Sequence, residues 1–339
     1  MRVISTLVYG AHLERINSIP SDSVLHINDA FTQEMLDYYF QKGQPAYVVN
    51  DHYSSIELAN TNCFALPLFA ESQAKKIRSL SLPTVETNNC FNFIVNKPQV
   101  NRFLCLKLVE WFELQDYNYT WSAFDCNFGM EKIINEIAGL GTNSEITPEC
   151  KNYIISPVVV PKKTLYKTEQ NGNNNIVVDG GVNTGTNKTW NEGLDKIFTH
   201  SAISLITESV SYQRAAVFTE KTIYAILGYT FPIWIGGYRQ ADEFRRMGFD
   251  TFDDVVDHSY QHYDTLIQRC YHAFSDNIEL LRNKEHVAEL RQQCMPRLVK
   301  NYQLLTNNQI GKFIDEEIGK YPQDLKQSLA QILYYFRQK

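Results

Sequence analysis

Short apolar runs alternate with polar turns along the N-terminal quarter of the chain. Residues 2–9, 23–27 and 46–50 are apolar runs of strand length. Between the last two, residues 29–41 place their apolar side chains at a helical spacing. Alternation of strand, helix and strand is typical of a parallel α/β sheet. The pattern therefore predicts an α/β fold from the first residues onward.

A second series of the same kind begins near residue 90. A strand is predicted at 91–95, a helix at 100–114 and a further strand at 119–124. Later strands are predicted at 203–206, 231–235 and 249–252. From residue 253 the pattern is helical to the end, with separate helices predicted at 277–290, 310–318 and 323–336.

Residues 169–191 interrupt this second series. They are rich in Asn, Gly and Thr around a short apolar run at 176–178. Such a composition between two ordered segments indicates either a mobile loop over a binding site or a disordered segment.

Composition narrows the class of protein only slightly. The chain has 339 residues, of which 44% are hydrophobic and 21% charged, as in ordinary globular proteins. Its net charge of −6 excludes a chain-wide basic surface for nucleic acid, although a local patch stays possible. The seven cysteines are scattered without a CxxC pair, which argues against a zinc site or a disulfide framework. Residues 1–10 lack a signal-peptide pattern, and no run reaches the roughly 18 apolar residues of a membrane span, so we expect a cytoplasmic protein.

The clearest indication of function lies between residues 201 and 237. An apolar strand ends at Glu208, and the later block Thr219-Glu220-Lys221 opens a helix. Backbone amides at a helix start and the Lys221 ammonium can face a phosphate, while Glu208 and Glu220 can accept hydrogen bonds from sugar hydroxyls. The alternative is that all three residues are structural. Glu220 would then be a first-turn acid, Lys221 a solvated lysine and Glu208 a carboxylate that makes hydrogen bonds within the fold. A third strand ends at Gly236-Gly237, where either a ligand or a simple turn requires glycine.

Several of these segments together resemble a known family. The strand at 91–95, the strand ending at Glu208, the block 218–221 and the strand running into Gly236 look like the nucleotide-sugar half of the fucosyltransferase-like GT-B glycosyltransferases. The segment 248–260 is similar to uncharacterised relatives from bacteriophages and marine microbes. The resemblance covers about residues 88–275. The chain departs from the family pattern at 224–225 and 257–261.

The resemblance implies two Rossmann-like domains that face each other across a cleft, followed by C-terminal helices. The expected boundaries are 1–85 for the acceptor-side domain, 86–275 for the nucleotide-sugar domain and 276–339 for the helices. It also implies a metal-independent glycosyltransferase with no cofactor besides the donor, a GDP-sugar or UDP-sugar. The donor-binding residues expected from the family are Asn96, Arg102, Glu208, Thr219, Glu220, Lys221 and Gly236.

The acceptor and the general base stay open. The acceptor hydroxyl could belong to a glycan or a small molecule, or to a hydroxymethylated DNA base if the protein is phage-encoded and works in the host cytoplasm. An inverting transferase needs a base near that hydroxyl. Asp29, Asp51 and His52 follow N-terminal strands and are the candidate bases. His258 is a further candidate, and the alternative for it is a histidine on an exposed helix without a catalytic role. Two non-enzymatic alternatives are a nucleotide-binding or glycan-binding module without catalysis and a structural phage or host-interaction protein.

Overall fold

A computed structural model gives the fold of the chain. It describes residues 2–6, 18–27, 33–50, 53–56, 63–77, 85–95, 100–121, 130–140, 145–156, 194–208 and 214–338. The strands are β1 (Arg2–Thr6), β2 (Ser23–Ile27), β3 (Tyr47–Asn50), β4 (Tyr53–Ile56), β5 (Cys63–Ala65), β6 (Asn89–Val95), β7 (Tyr117–Trp121), β8 (Ser201–Ile206), β9 (Ala215–Val217) and β10 (Phe231–Trp234).

The helices between these strands are α1 (Gln33–Phe40), α2 (Leu68–Ile77), α3 (Val100–Trp111), α4 (Met130–Gly139), α5 (Pro148–Ile155), α6 (Asp195–Thr199), α7 (Glu220–Leu227) and α8 (Gln240–Arg246). A 3-10 helix, Ser259–His262, follows. The C-terminal helices are α9 (Leu266–Ser275), α10 (Ile278–Arg282), α11 (Lys284–Gln293), α12 (Met295–Thr306), α13 (Gln309–Gly319) and α14 (Gln323–Gln338). The predicted α/β class and the C-terminal helices are confirmed.

The first sheet is parallel and has the order β1-β2-β3-β5. Every residue of β2 is buried, as expected for a parallel strand that is covered on both faces. The strand order follows the sequence order without a reversal among the described residues. Within the described residues, the first sheet therefore has no topological switch point, where the strand order reverses.

The second sheet is also parallel, but its order is β10-β8-β6-β7. The chain runs from β6 to β7 on one side and later returns to β8 on the other side. The carboxyl ends of β6 and β8 therefore flank a topological switch point, the place where open α/β sheets bind ligands. The outermost position of β10 accommodates Pro232, which has no N–H to donate to a neighbouring strand.

The two sheets are joined by a short antiparallel ladder. Tyr53 of β4 pairs with Val217 of β9, so a strand that follows β3 meets a strand that precedes α7. Val24 and Val49 of the first sheet lie in the same apolar cluster as Ile206 and Trp234 of the second sheet. The carboxyl end of β3 is thus brought towards the start of α7.

Helix α14 contacts the N-terminal part of the chain as well. The guanidinium of Arg337 lies 3.3 Å from the buried carboxylate of Glu71 on α2. The hydroxyl of Tyr47 donates to Asp324 at 3.4 Å. The last helix therefore packs against the first sheet and its helix.

Four details of the sequence prediction are corrected. Residues 249–252 do not form a strand, because Phe252 adopts a left-handed conformation with φ of 61° and Asp250 accepts a bond from its backbone N–H. The region after 253 is not helical until Leu266, apart from the 3-10 turn. In addition, the predicted helix 277–290 is two helices that break at Asn283, and α4 and α5 lie where no element was predicted.

Candidate functional site

Four charged residues that the sequence singled out meet at the carboxyl edge of the second sheet. Glu208 follows β8, Glu220 and Lys221 open α7, and Arg102 lies in the first turn of α3, the helix after β6. We call these four residues the ion cluster. Because α3 and α7 start beside the ends of β6 and β8, the ion cluster lies at the switch point.

Glu208 is fixed by hydrogen bonds from α7 and its cap. It is 2% exposed. Its Oε1 accepts from the backbone N–H of Thr219 at 3.0 Å and from the Thr222 hydroxyl at 2.8 Å, and its Oε2 accepts from the Thr219 hydroxyl. The Thr222 hydroxyl in turn accepts from Nε1 of the buried Trp234 at 3.0 Å. Glu208 therefore holds the start of α7 against the end of β8.

Lys221 lies under the cap of the same helix. Thr219 is the N-cap of α7, and its side-chain oxygen accepts from the Lys221 backbone N–H. The Lys221 ammonium lies 2.9 Å from Glu220 Oε1 and 3.4 Å from Thr219 Oγ1. Its side chain is only 9% exposed, whereas that of Glu220 is 35% exposed. A cation is thus kept at a helix N-terminus, where the helix dipole disfavours it, by two anionic or polar oxygens.

Arg102 lies deeper than Lys221. It is 2% exposed, and both Nε and one terminal nitrogen donate to the Thr207 carbonyl at 3.4 Å. Burial lowers the pKa of Arg102, and the nearby Glu220 and Glu208 carboxylates oppose that shift. The Thr207 hydroxyl donates across the switch point to the Ile94 carbonyl at 2.8 Å, which ties the ends of β6 and β8 together.

The two carboxylates have opposite pKa shifts. Burial raises the pKa of Glu208, although Lys221 and the bonds from Thr219 act in the other direction. Burial also acts to raise the pKa of Glu220, but the charge and hydrogen bond of Lys221 lower it overall to about 2. At neutral pH Glu220 is therefore ionised.

Further residues beside the ion cluster hold the carboxyl edge of the second sheet in place. Gly236 has φ of 74°, and its carbonyl accepts from Nε of the buried Arg269 at 3.0 Å. A Cβ at Gly237 would lie 1.7 Å from Gln240 Oε1 and 2.9 Å from Trp234 Cβ, so a side chain there would force these neighbours to shift. Asn101 donates to the carbonyl of Glu208 at 3.0 Å, and its own buried Oδ1 has no hydrogen-bond partner among the described residues.

Sequence reasoning missed Asn101, Thr222, Trp234, Gln240 and Arg269. Thr222 had a usable signal, because a residue three positions after an N-cap faces the same end of the helix. The arginine on α9 had none, since a buried arginine and a solvated one look alike in an amphipathic pattern.

Four predicted site residues and the predicted loop lie outside the described residues. They are Asn96, Asp29, Asp51, His52 and the segment 169–191. Their neighbours are placed: β2 ends at Ile27, β3 at Asn50 and β6 at Val95. These three candidate bases and Asn96 therefore stay sequence-based predictions.

His258 is not the exposed helix residue that the sequence suggested. It is 8% exposed, lies just before the 3-10 helix, and its Nε2 is 3.0 Å from the Thr251 carbonyl. Burial lowers its pKa, because a charged imidazole is poorly solvated there. The ring packs against Trp234 and fills the space between the turn and β10.

An acidic pocket lies beside α8. It has a volume of about 540 Å³, and its lining includes Asp242, Asp253, Asp254, Asp257 and Arg245. It contains no member of the ion cluster. Asp242 and Asp253 both pair with Arg245, and Asp254 pairs with Arg297. The pocket is thus separate from the switch point, and most of its carboxylates are already paired with arginines.

Comparisons with known proteins give no relative. No protein-family model, no curated protein and no solved structure matches the chain. Among the described residues, no group of three His, Cys, Asp or Glu side chains could hold a metal ion. Within the same part of the chain, no helix is both long and apolar enough to cross a membrane.

Proposed function

We propose that this chain is a metal-independent glycosyltransferase of the GT-B kind, which moves a sugar from a nucleotide-sugar donor to a hydroxyl acceptor. The observation that carries the proposal is the ion cluster at the switch point of the second sheet. Two buried cations at this edge give an anionic diphosphate a place to bind without a metal ion.

Each member of the ion cluster has a distinct part in this proposal. Lys221 contacts the diphosphate of the donor, because it is the cation nearer to solvent. Arg102 contributes positive potential from behind, since its guanidinium is buried against the Thr207 carbonyl. Glu220 is the half-exposed carboxylate that can turn to a hydroxyl of the donor. Glu208 keeps the start of α7 in position.

The acceptor side is assigned to the first sheet. Asp51 and His52 are the two residues between the end of β3 and the start of β4, and β4 pairs with β9 just before the cap of α7. Asp29 follows the end of β2 by two residues. We propose that the general base is one of these three side chains, on the far side of a cleft between an acceptor domain and a donor domain. The domain boundaries at 85 and 275 belong to the same proposal.

A second candidate is a nucleotide-binding module without catalysis. It is favoured by the internal satisfaction of the site: Glu208 accepts three bonds from the chain itself, and Lys221 already has an anionic partner. Such a module would bind a nucleoside diphosphate and leave a nucleotide sugar intact.

One assay separates these candidates. The protein is incubated with UDP-sugars and GDP-sugars in EDTA, with water, a glycan mixture or DNA containing 5-hydroxymethylcytosine as acceptor. The released nucleoside diphosphate is measured, and binding of each nucleotide sugar is measured in parallel by calorimetric titration. The transferase predicts acceptor-dependent release that Lys221→Ala strongly reduces at donor concentrations that do not saturate the variant. Binding of a nucleotide sugar without release in any arm would favour the module, and absence of binding would contradict both.

A further inference from the structure

We infer that Glu220 is a built-in competitor for anions at Lys221, so that the site rejects phosphates that bring no hydrogen-bond donors of their own. Glu220 is then a specificity-determining residue that separates nucleoside diphosphates from inorganic pyrophosphate. The inference rests on the proposed function, because it concerns the same site.

The competition follows from the contacts of Lys221. Its ammonium is 2.9 Å from Glu220 Oε1, and the carboxylate is the more exposed partner of the pair. A ligand that arrives from solvent therefore meets Glu220 before it reaches the ammonium. A phosphate oxygen can take the place of Oε1 only when the carboxylate turns away.

Glu208, the other carboxylate of the ion cluster, cannot yield in place of Glu220. Glu208 accepts bonds from the backbone N–H and hydroxyl of Thr219 and from the Thr222 hydroxyl, and it is 2% exposed. Arg102 is equally buried and donates to the Thr207 carbonyl. These groups are held by the fold, so an added phosphate would sit beside Glu220 as an extra anion unless Glu220 moves.

The chemistry of the incoming ligand decides whether Glu220 can move without loss. Inorganic pyrophosphate at neutral pH presents mainly acceptor oxygens, so it cannot satisfy a displaced carboxylate. A nucleoside diphosphate carries ribose hydroxyls, and a nucleotide sugar carries more of them. Each hydroxyl can donate to Glu220 and replace the bond that the carboxylate loses from Lys221. Glu220 thereby favours ligands that couple hydroxyls to a diphosphate.

Mild acid does not remove this competitor. Burial acts to raise the pKa of Glu220, but Lys221 lowers it overall to about 2. The carboxylate therefore stays ionised throughout the pH range in which binding is measured.

Calorimetric titration of inorganic pyrophosphate, GDP and UDP in EDTA tests the inference on the wild type, Glu220→Gln and Glu220→Ala. Removal of the competing charge is expected to strengthen pyrophosphate binding roughly tenfold or more in both variants. The ratio of nucleoside diphosphate affinity to pyrophosphate affinity is expected to fall, because the hydroxyl acceptor is lost as well. Melting temperatures check that the variants are folded.

Glu243→Gln is the matched control. Glu243 is also a first-turn acid paired with a cation, Arg246 at 2.7 Å, but it lies on α8 outside the ion cluster. It should leave all three affinities unchanged. Unchanged pyrophosphate affinity in both Glu220 variants, with GDP or UDP still bound, would overturn this inference alone. Failure of the wild type to bind either nucleotide would instead overturn the proposed function.

Discussion

The two edges of the second sheet both bury cations, and they neutralise them in different ways. At the amino edge, Arg291 of α11 is 1% exposed and donates to the carbonyls of Tyr229 and Thr199 at 2.9 Å and of Gly228 at 2.6 Å. It also donates to the Thr87 hydroxyl at 3.0 Å. These acceptors precede β10, β8 and β6, so a single guanidinium joins the starts of three strands.

At the carboxyl edge, the cations of the ion cluster lie beside carboxylates instead. Arg291 forms no ion pair with a carboxylate in the described part of the chain, and burial lowers its pKa to about 9, which still leaves it charged at neutral pH. Lys221 contacts a half-exposed carboxylate that a ligand can replace. The backbone carbonyls around Arg291 cannot be exchanged in this way. The comparison separates a structural arginine from a lysine that is available to an anionic ligand.

The largest expected effect is at the amino edge. Arg291→Met removes the donors of three buried carbonyls, and an unsatisfied buried group costs about 1–3 kcal/mol. We expect the free energy of unfolding in urea to fall by roughly 4 kcal/mol. Nucleotide affinity of the folded protein should not change, because the substituted residue lies at the opposite edge.

Arg282→Met is the control for that variant. Arg282 lies on α10, is exposed, and makes a hydrogen bond to the Phe112 carbonyl at 3.0 Å. Its loss should cost less than about 1 kcal/mol. Equal destabilisation by the two substitutions would contradict a special stabilising role of the Arg291 hydrogen bonds at the amino edge.

A smaller effect is expected from the hydrogen-bond chain at the carboxyl edge. Thr222→Val keeps the shape of the side chain but leaves Nε1 of the buried Trp234 without its acceptor and removes a donor from Glu208. We expect the free energy of unfolding to fall by about 1–2 kcal/mol. Thr222→Ser retains the hydroxyl and should recover most of the loss. A valine variant as stable as the wild type would contradict the contacts that fix Glu208.

The smallest effect is a difference in pH dependence between the two carboxylates. Burial opposes the shift of Glu220, but Lys221 lowers its pKa from 4.5 to about 2, so its stabilising contribution is present above pH 4.5 and lost as the pH falls towards 2. Burial raises the pKa of Glu208, so its contribution is present below pH 4.5 and lost as the pH rises through the raised value.

Urea unfolding of Glu220→Gln and Glu208→Gln across this range measures the difference. The deficit of Glu220→Gln relative to the wild type should shrink towards pH 2. The stability of Glu208→Gln relative to the wild type should increase as the pH rises above 4.5. Two difference curves with the same sign of slope would contradict the opposite shifts.

The sequence predicted those strands and helices whose signal lies in the pattern of their own residues. Strand β2 has its predicted bounds, and β6, β8 and β10 differ from theirs by one or two residues, because buried parallel strands are continuous apolar runs. Strand β9 was missed because it has three residues and pairs with β4, which is about 160 positions away. The left-handed Phe252 likewise gave no signal, since an apolar residue in that conformation imitates a strand residue.

The candidate site was predictable to the same extent. The block Thr219-Glu220-Lys221 begins a helix, as predicted, and β8 ends just before the turn that carries Glu208, although β9 lies between that turn and the helix. The depth of Arg102 and the three donors to Glu208 could not be foreseen, because both depend on how α3 and α7 pack against the sheet. Sequence spacing gives the edge on which a residue lies, whereas its exposure is a property of the packed structure.

The central claim is that the carboxyl edge binds a nucleoside diphosphate through Lys221 without a metal ion. Calorimetric titration of GDP and UDP in EDTA against the wild type, Lys221→Ala and Lys196→Ala tests it most directly.

Lys196 is an exposed lysine on α6 before β8, at the opposite edge. A hydrogen bond to a charged group is worth about 1.5–3 kcal/mol, so Lys221→Ala should weaken binding by about one to two orders of magnitude. Lys196→Ala should bind like the wild type, and guanosine or uridine should bind all three proteins almost equally. Normal diphosphate binding by Lys221→Ala, or binding by the wild type only after Mg²⁺ is added, would contradict the account.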